Sequence, residues 1–190
     1  MMAAVSKSGQ PLPWYTYPAI DFLKYRSYED KMILEFGGGQ STLWWAGKAK
    51  YVVTFEGDKG WYEKIKQKIP NNVDLSYVSM GSKEASISHI KNSLKSKQCS
   101  KYDVIVIDGL YRYEMIEIAL SHLSDEGIVV CDNAEGYGFY EGFKESGLRR
   151  VDFFGNAPGV VLPHATSIYF TPSSFVFDAM YPIPVIAIEP

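Results

Sequence analysis

The sequence contains little cysteine. Cys99 and Cys131 are the only thiols in 190 residues, and neither belongs to a Cys-x-x-Cys motif. A disulfide framework and a thiolate zinc site are therefore both excluded. Sparse cysteine of this kind is typical of a reducing compartment, so we expect a cytoplasmic protein.

An excess of positive charge and long apolar runs are missing as well. Lys and Arg number 19 against 22 Asp and Glu, which gives a net charge of −3. A chain without a positive field is not drawn to phosphate backbones, so we expect no nucleic-acid partner. No run of about 18 apolar residues occurs, and the N-terminus lacks the apolar stretch of a secretory signal. The sequence therefore predicts a soluble protein with no membrane partner.

Apolar and aromatic residues, in contrast, are plentiful. The chain is 46% hydrophobic and 15% aromatic, which is enough to offset chain entropy and to exclude disorder. A chain of 190 residues suits one core. We predict a single domain over 1–190, with an N-terminal extension and helix at 1–30, a core at 31–171 and a C-terminal tail at 172–190. A homo-oligomer is left open.

Short β-rich runs alternate with helical patterns from residue 32 onward. Strands are predicted at 32–36, 51–56, 73–78, 102–108 and 127–132, and helices after Ser41 and at 61–69, 83–94, 113–123 and 139–146. This alternation is typical of a parallel sheet with helices on both faces. The last two runs, 148–155 and 165–171, are joined by a connection that suits a hairpin better than a helical crossover. The predicted fold class is therefore α/β, a doubly wound, mostly parallel sheet with a C-terminal antiparallel hairpin.

A glycine-rich loop lies where the first strand passes into the first helix. The segment is Glu35-Phe36-Gly37-Gly38-Gly39-Gln40-Ser41-Thr42. Open α/β sheets bind nucleotides at this position, and glycines there let a ligand approach the backbone. A dinucleotide fingerprint would require a third glycine at position 42, where this chain has Thr. The loop therefore disfavours a nicotinamide cofactor.

Two glutamates flank this loop. Glu35 precedes Gly37 by two residues, and a carboxylate at the mouth of the loop favours a ligand with ammonium and sulfonium charge over one with a pyrophosphate. Glu56 ends the second strand, where a carboxylate can accept hydrogen bonds from both ribose hydroxyls of an adenosine cofactor. The alternative is that the glycines form only a tight turn and that Glu56-Gly57-Asp58 caps a helix.

Over about residues 30–171 the chain resembles the class I S-adenosylmethionine-dependent methyltransferases. The resemblance lies in ILEFGGGQST, the Glu56 strand end, YDVIVIDG and GIVVCDN. It implies a Rossmann-like fold in which the last two strands pair antiparallel. It also implies a set of cofactor contacts: Glu35, Gly37 and Gly39 at the methionine end, Glu56 at the ribose, Met80 and Gly81 near the adenine, and Ser41 and Asp108 beside them.

Acidic and amide side chains end the fourth and fifth predicted strands. Asp108 ends the fourth and Asp132-Asn133 the fifth, and the tips of neighbouring strands lie about 5 Å apart. Three converging oxygen ligands suit Mg²⁺, and the layout resembles the metal site of catechol-type O-methyltransferases. That subfamily has a lysine base where this chain has Tyr111, so Asp108 and Tyr111 are the catalytic candidates. The alternative is a polar turn at Asp132-Asn133 and a metal-free Asp108 in the cofactor pocket.

Three smaller features each have two explanations. Residues 13–18, PWYTYP, form either an aromatic lid over the pocket or the packing of an N-terminal helix on the sheet. Arg112 pairs either with an anionic substrate group or with a glutamate such as Glu114. His164 is the one histidine considered as a base, against a structural role.

The expected function is transfer of a methyl group from S-adenosylmethionine to an oxygen or nitrogen of a small molecule, with Mg²⁺ as a candidate second cofactor. One alternative is a nicotinamide-dependent oxidoreductase. Another is a non-catalytic protein that keeps the methyltransferase fold, since no obligatory nucleophile is visible.

Overall fold

The computed structural model describes residues 4–179 and 181. The strands are β1 Met32–Phe36, β2 Tyr51–Glu56, β3 Val73–Tyr77, β4 Tyr102–Ile107, β5 Leu123–Asp132, β6 Arg149–Gly155 and β7 His164–Phe170. The helices are α1 Tyr17–Lys24, α2 Gln40–Ala46, α3 Lys59–Lys66, α4 Lys83–Lys95, α5 Met115–His122 and α6 Phe139–Phe143, with a 3₁₀ turn at Phe175–Phe177. In the predicted tail, residue 180 and residues 182–190 lie outside the described residues. None of the helices described here has the length and apolar character needed to cross a bilayer.

All seven strands belong to one sheet, in the order β3-β2-β1-β4-β5-β7-β6. The first five strands are parallel, and β7 pairs antiparallel with both β5 and β6. This confirms the predicted doubly wound sheet with its C-terminal hairpin. The chain runs outward in both directions from β1 and β4, which makes the carboxyl ends of these two strands the switch point where such sheets bind ligands.

Both faces of the sheet are covered. Leu34 packs with Ile90 of α4 and Met115 of α5 on one face. Its neighbour Ile33 packs with Leu23 of α1 and Trp45 of α2 on the other. Because successive strand residues point to opposite faces, a strand buried on both sides is apolar at nearly every position. The unbroken apolar runs in the sequence have this cause.

Strand β5 begins four residues earlier than predicted. Leu123 pairs with Tyr102, but the register then shifts, and the next pair is Val104 with Ile128. Residues 124–127 lie in the resulting irregularity, and their Ser-Asp-Glu-Gly sequence is typical of a turn. Helix α5 accordingly ends at His122.

Helix α3 also begins earlier than predicted, at Lys59 rather than at residue 61. Asp58 is its N-cap, and its carboxylate accepts a hydrogen bond from the backbone N–H of Trp61 at 2.6 Å. The cap brings Trp61 to the first turn of the helix.

Candidate functional site

A cavity of about 530 Å³ opens at the carboxyl ends of β1, β2, β4 and β5. The glycine loop after β1, Glu56 and Trp61 line one half of it. Asp108, Arg112 and Asp132, at the ends of β4 and β5, line the other. Trp14 and Val160 complete the lining from the N-terminal segment and the β6–β7 connection.

Gly37 is required by the packing of two turns against each other. Its φ is +98°, and a Cβ there would lie 2.6 Å from the Cα of Gly109, in the turn after β4. A side chain at position 37 would therefore meet protein backbone as well as a strained backbone angle. The close approach of Gly37 and Gly109 brings the ends of β1 and β4 together at the cavity.

Trp61 lies over the remainder of the glycine loop. Its indole Nε1 donates a hydrogen bond to the carbonyl of Gly38 at 2.6 Å, and a Cβ on Gly39 would lie 3.2 Å from that nitrogen. Sequence reasoning missed Trp61 because the predicted helix began at this residue, so the direction of its side chain was not predicted. The helix cap that the sequence offered as an alternative at Glu56-Gly57-Asp58 is present at Asp58, and a helix begun there would have placed Trp61 in its first turn.

Glu56 lies at the tip of β2 inside the cavity. One of its carboxylate oxygens accepts the N–H of Gly38 at 2.7 Å, and the other accepts the N–H of Asp58 at 2.6 Å. Burial raises the pKa of Glu56, and these backbone N–H groups offset part of that effect. The two bonds fix the carboxylate and leave each oxygen with a lone pair for a ligand.

Glu35 is placed differently from the expectation that it stands at the mouth of the loop. It is fully buried beneath the loop, where its Oε2 accepts hydrogen bonds from the hydroxyls of Thr42 and Thr54. Its Oε1 is buried with no hydrogen-bond partner among the described residues. Burial raises the pKa of Glu35 to about 7, although the hydroxyl hydrogen bonds act in the opposite direction.

Arg112 joins the ends of β4 and β5. Its Nη1 donates to the carbonyl of Asp132 at 2.6 Å and to the Oδ1 of Asn133 at 2.9 Å. Its Nη2 donates to the carbonyl and the Oδ1 of Asp108 at 2.9 and 3.1 Å. The partner of Arg112 is therefore Asp108, and Glu114 pairs instead with Lys83. The four terminal N–H groups of the guanidinium all have acceptors inside the protein.

The predicted Mg²⁺ site at Asp108, Asp132 and Asn133 is not supported. The guanidinium of Arg112 lies among the oxygens that were expected to meet the ion, and two positive groups cannot share that position. No three His, Cys, Asp or Glu side chains gather into a metal site anywhere in the described part of the chain. The sequence argument for a metal considered the three oxygens without Arg112, which follows Asp108 by four residues.

Asp132 is buried, and residues of β7 hold its carboxylate. Its Oδ1 accepts a hydrogen bond from the hydroxyl of Thr166 at 2.7 Å and lies 3.2 Å from the Nε2 of His164. Its hydrogen bond to Asp132 is the largest cause that raises the pKa of His164. His164 itself does not line the cavity, so it supports Asp132 rather than meeting a ligand.

Asp108 faces Asp132 across the same space. Burial and the charge of Asp132 raise the pKa of Asp108, and Arg112 partly offsets them. Two non-glycine residues beside this pair, Tyr111 and Asn133, have φ of 36° and 50°. Positive φ of this kind is uncommon outside glycine, and here it turns the chain so that Arg112 reaches back to β4.

The other predicted site residues are divided between the cavity and its surroundings. Ser41 lines the cavity. Tyr111, Met80 and Gly81 do not: Tyr111 packs against the core, and Met80 covers Gly57. The PWYTYP segment combines both of its explanations, because Trp14 lines the cavity while Tyr15 is fully buried and accepts a hydrogen bond from Trp45.

Known structures share the fold of this chain. A precorrin-6y C5,15-methyltransferase from Geobacter metallireducens has a TM-score of 0.60 and 14% identity over 80% of this chain and 86% of its own. An rRNA methylase from Streptococcus thermophilus has a TM-score of 0.56 and 15% identity, over 82% of this chain and 95% of its own. An O-methyltransferase from Bacillus cereus, in complex with S-adenosylhomocysteine, has a TM-score of 0.55 and 18% identity, over 74% of each chain. No family model matches the chain, and no curated protein matches it in sequence. The likeness shows that the chain has the methyltransferase fold.

Proposed function

We propose that the protein binds S-adenosylmethionine in this cavity and transfers its methyl group to an oxygen or nitrogen of a small molecule. The observation that carries the proposal is the position of Glu56. Its carboxylate lies at the tip of β2, inside the cavity, with each oxygen held by one backbone N–H. In a sheet with this strand order, a carboxylate at the end of β2 is placed to accept hydrogen bonds from the hydroxyls of a ribose.

The residues around Glu56 fit this cofactor. The backbone of Gly37, Gly38 and Gly39 borders the cavity, and the carboxylates of Asp58 and Asp108 also line it. Carboxylates stabilise a ligand that carries sulfonium and ammonium charge. We assign the ribose to Glu56 and the methionine end to the glycine loop and Ser41. When bound, the cofactor supplies a methyl group on a positively charged sulfur, and the C–S electron pair stays on the sulfur.

Glu35 has an indirect role in this proposal. It lies under the loop and holds Thr42, whose hydroxyl in turn accepts the N–H of Gly39 at 2.9 Å. A fully buried carboxylate that does not line the cavity supports the loop rather than touching the cofactor.

A small acceptor is favoured over a nucleic acid by the charges at the site. Phosphate backbones are bound through Lys and Arg side chains with free N–H groups. The terminal N–H groups of Arg112 already donate hydrogen bonds to Asp108, Asp132 and Asn133. The remaining cation of the cavity lining is Lys64. The cavity, at about 530 Å³, has the size of a small-molecule site.

Calorimetric titration tests the proposal. The wild-type protein should bind S-adenosylhomocysteine and not NAD⁺. Glu56→Ala should weaken the binding of S-adenosylhomocysteine about ten- to a hundredfold, because lost hydrogen bonds to a charged acceptor cost about 1.5–3 kcal/mol. Glu63→Ala is the matched control, since Glu63 is an exposed acid on α3 and does not line the cavity.

The two alternatives are separated by this titration together with an assay of methyl transfer. Binding of NAD⁺ in place of S-adenosylhomocysteine would favour the oxidoreductase. Binding of S-adenosylhomocysteine without methyl transfer to any acceptor would favour the non-catalytic protein. Equal affinity in wild type and Glu56→Ala would contradict the ribose assignment.

A further inference from the structure

We propose that the methyl acceptor is a flat, apolar molecule that carries an amine or an uncharged hydroxyl and has no carboxylate or phosphate. This inference rests on the proposed function, because it concerns the half of the cavity that the acceptor would occupy. Its support comes from an aromatic wall at the mouth, from the distribution of charge, and from one free oxygen of Asp132.

The aromatic wall is Trp14. The segment that carries it is fixed to the hairpin: the N–H of Thr16 donates to the Oγ1 of Thr166 at 2.9 Å, and the hydroxyl of Thr16 donates to the carbonyl of Phe153 at 3.1 Å. From this side the ring of Trp14 reaches to within 6.3 Å of the ring of Trp61, centre to centre. Trp14 therefore spans the mouth from the β7 side to the α3 side.

The β6–β7 connection continues this wall. Gly159, with φ of +73°, faces the Nε1 edge of Trp14, since a Cβ at position 159 would lie 3.5 Å from that nitrogen. The next residue, Val160, lines the cavity. The polar edge of the indole thus points toward the connection, and the wall offers an apolar surface to the ligand. Flat apolar rings pack well on such a surface.

The charges on the lining disfavour an anion. Carboxylates of Glu56, Asp58, Asp108 and Asp132 line the cavity, whereas its cations are Arg112 and Lys64. The terminal N–H groups of Arg112 are already satisfied, and Lys64 stands on α3 beside Trp61, on the side of Glu56. A carboxylate or phosphate near β5 would meet like charge with no free partner, which costs several kcal/mol.

Asp132 provides the group that an amine or hydroxyl would meet. Its contacts to Thr166 and His164 both go to Oδ1, and no described residue donates to Oδ2. Asp132 is 3% exposed and lines the cavity, so Oδ2 is the oxygen left for a ligand. A carboxylate oxygen that faces a ligand cavity can accept a hydrogen bond from an N–H or O–H of the acceptor.

Three compounds with the same ring test the inference: tyramine, 4-(2-hydroxyethyl)phenol and 3-(4-hydroxyphenyl)propionate. Each is titrated into the protein already saturated with S-adenosylhomocysteine. We expect the amine and the alcohol to bind at least about tenfold more tightly than the carboxylate. Asp132→Asn, which removes the charge but keeps the shape, should reduce this preference to about twofold or less. Trp14→Ala should weaken the binding of all three compounds, and Trp14→Phe should restore it.

The control is Tyr140→Ala, which removes an exposed aromatic residue that does not line the cavity and should change nothing. Equal or tighter binding of the carboxylate would overturn the inference, as would an unchanged preference in Asp132→Asn. Failure of all three compounds to bind the saturated protein would overturn it too. Failure of S-adenosylhomocysteine itself to bind would instead contradict the proposed function, so the two outcomes are separate.

Discussion

Glu35 and Glu56 are acids at the ends of neighbouring strands, and the structure gives them different environments. Glu56 faces the cavity with both oxygens held by backbone N–H groups. Glu35 points beneath the loop, where two hydroxyls share one of its oxygens and the other has no partner among the described residues. Burial raises the pKa of Glu35 to about 7.

The raised pKa of Glu35 predicts a pH dependence of stability. Since the folded protein holds a proton that the unfolded chain, with a pKa of 4.5, releases earlier, the free energy of unfolding should fall as the pH rises from about 4.5 to above 7. Between pH 5 and pH 8 the wild type should lose about 2–3 kcal/mol more than Glu35→Gln, which cannot ionise. Urea unfolding at both pH values measures this difference.

Glu63→Gln serves as the comparison, because Glu63 is exposed and its loss should leave the pH dependence of the wild type intact. Parallel stability curves for the wild type and Glu35→Gln would show that Glu35 is ionised throughout this range in the folded protein.

Among the elements, the turns after β1 and β4 depend on each other through Gly37. Gly37→Ala should be severely destabilising, because the new Cβ would meet the backbone of Gly109 and φ is +98°. Gly147→Ala is the matched variant: φ is +75° there, and a Cβ would have no atom within 4 Å. We expect Gly37→Ala to lose at least about 2 kcal/mol more than Gly147→Ala in chemical unfolding. Equal losses would mean that the turns separate without cost.

Arg112 connects β4 to β5 in the same way. Arg112→Ala would remove the hydrogen bonds and the positive charge beside the partly buried Asp108, so we expect a loss of about 1.5–3 kcal/mol in the free energy of unfolding at pH 7. Arg112→Lys keeps the positive charge but lacks the planar guanidinium, so its free energy of unfolding should lie between those of the wild type and Arg112→Ala. Lys91→Ala, which breaks an exposed pair with Glu117, should cost less than about 1 kcal/mol. A loss for Arg112→Ala no greater than that of Lys91→Ala would contradict the role of Arg112 as a connection between strands.

For the whole molecule, the cavity joins residues from β1 to the β6–β7 connection, so a ligand bound there should stabilise the entire fold. S-adenosylhomocysteine at a hundred times its dissociation constant adds about 2.7 kcal/mol to the free energy of unfolding. For a chain of this length, that raises the Tm by about 5–10 °C. Differential scanning calorimetry should show this shift with S-adenosylhomocysteine and none with NAD⁺. A shift with NAD⁺ alone would contradict the proposed cofactor.

Much of the fold follows from the sequence. The strands β1 and β2 and the antiparallel end of the sheet are predicted, because a run of apolar residues between turn signals is a local pattern and the connection at 156–163 suits a hairpin. The start of β5 is not predicted. Its bulge depends on how Tyr102 and Val104 pair with a neighbouring strand, and a pairing register is not written in one segment alone.

The candidate site divides along the same line. By itself the sequence determined which residues end the strands: the glycine loop, Glu56, Asp108 and Asp132 all lie at the predicted edge of the sheet, because chain direction and strand length place them there. Only the tertiary structure decided what those side chains meet. Glu35 turns under the loop to Thr42 and Thr54, and Arg112 lies where a metal ion was expected. Trp14 lies at the mouth because Thr16, two residues later, is bonded to Thr166, which is 150 residues away in the chain. Hydrogen bonds and charge pairs act over a few ångströms in space, and the folded chain alone determines which groups lie within that distance.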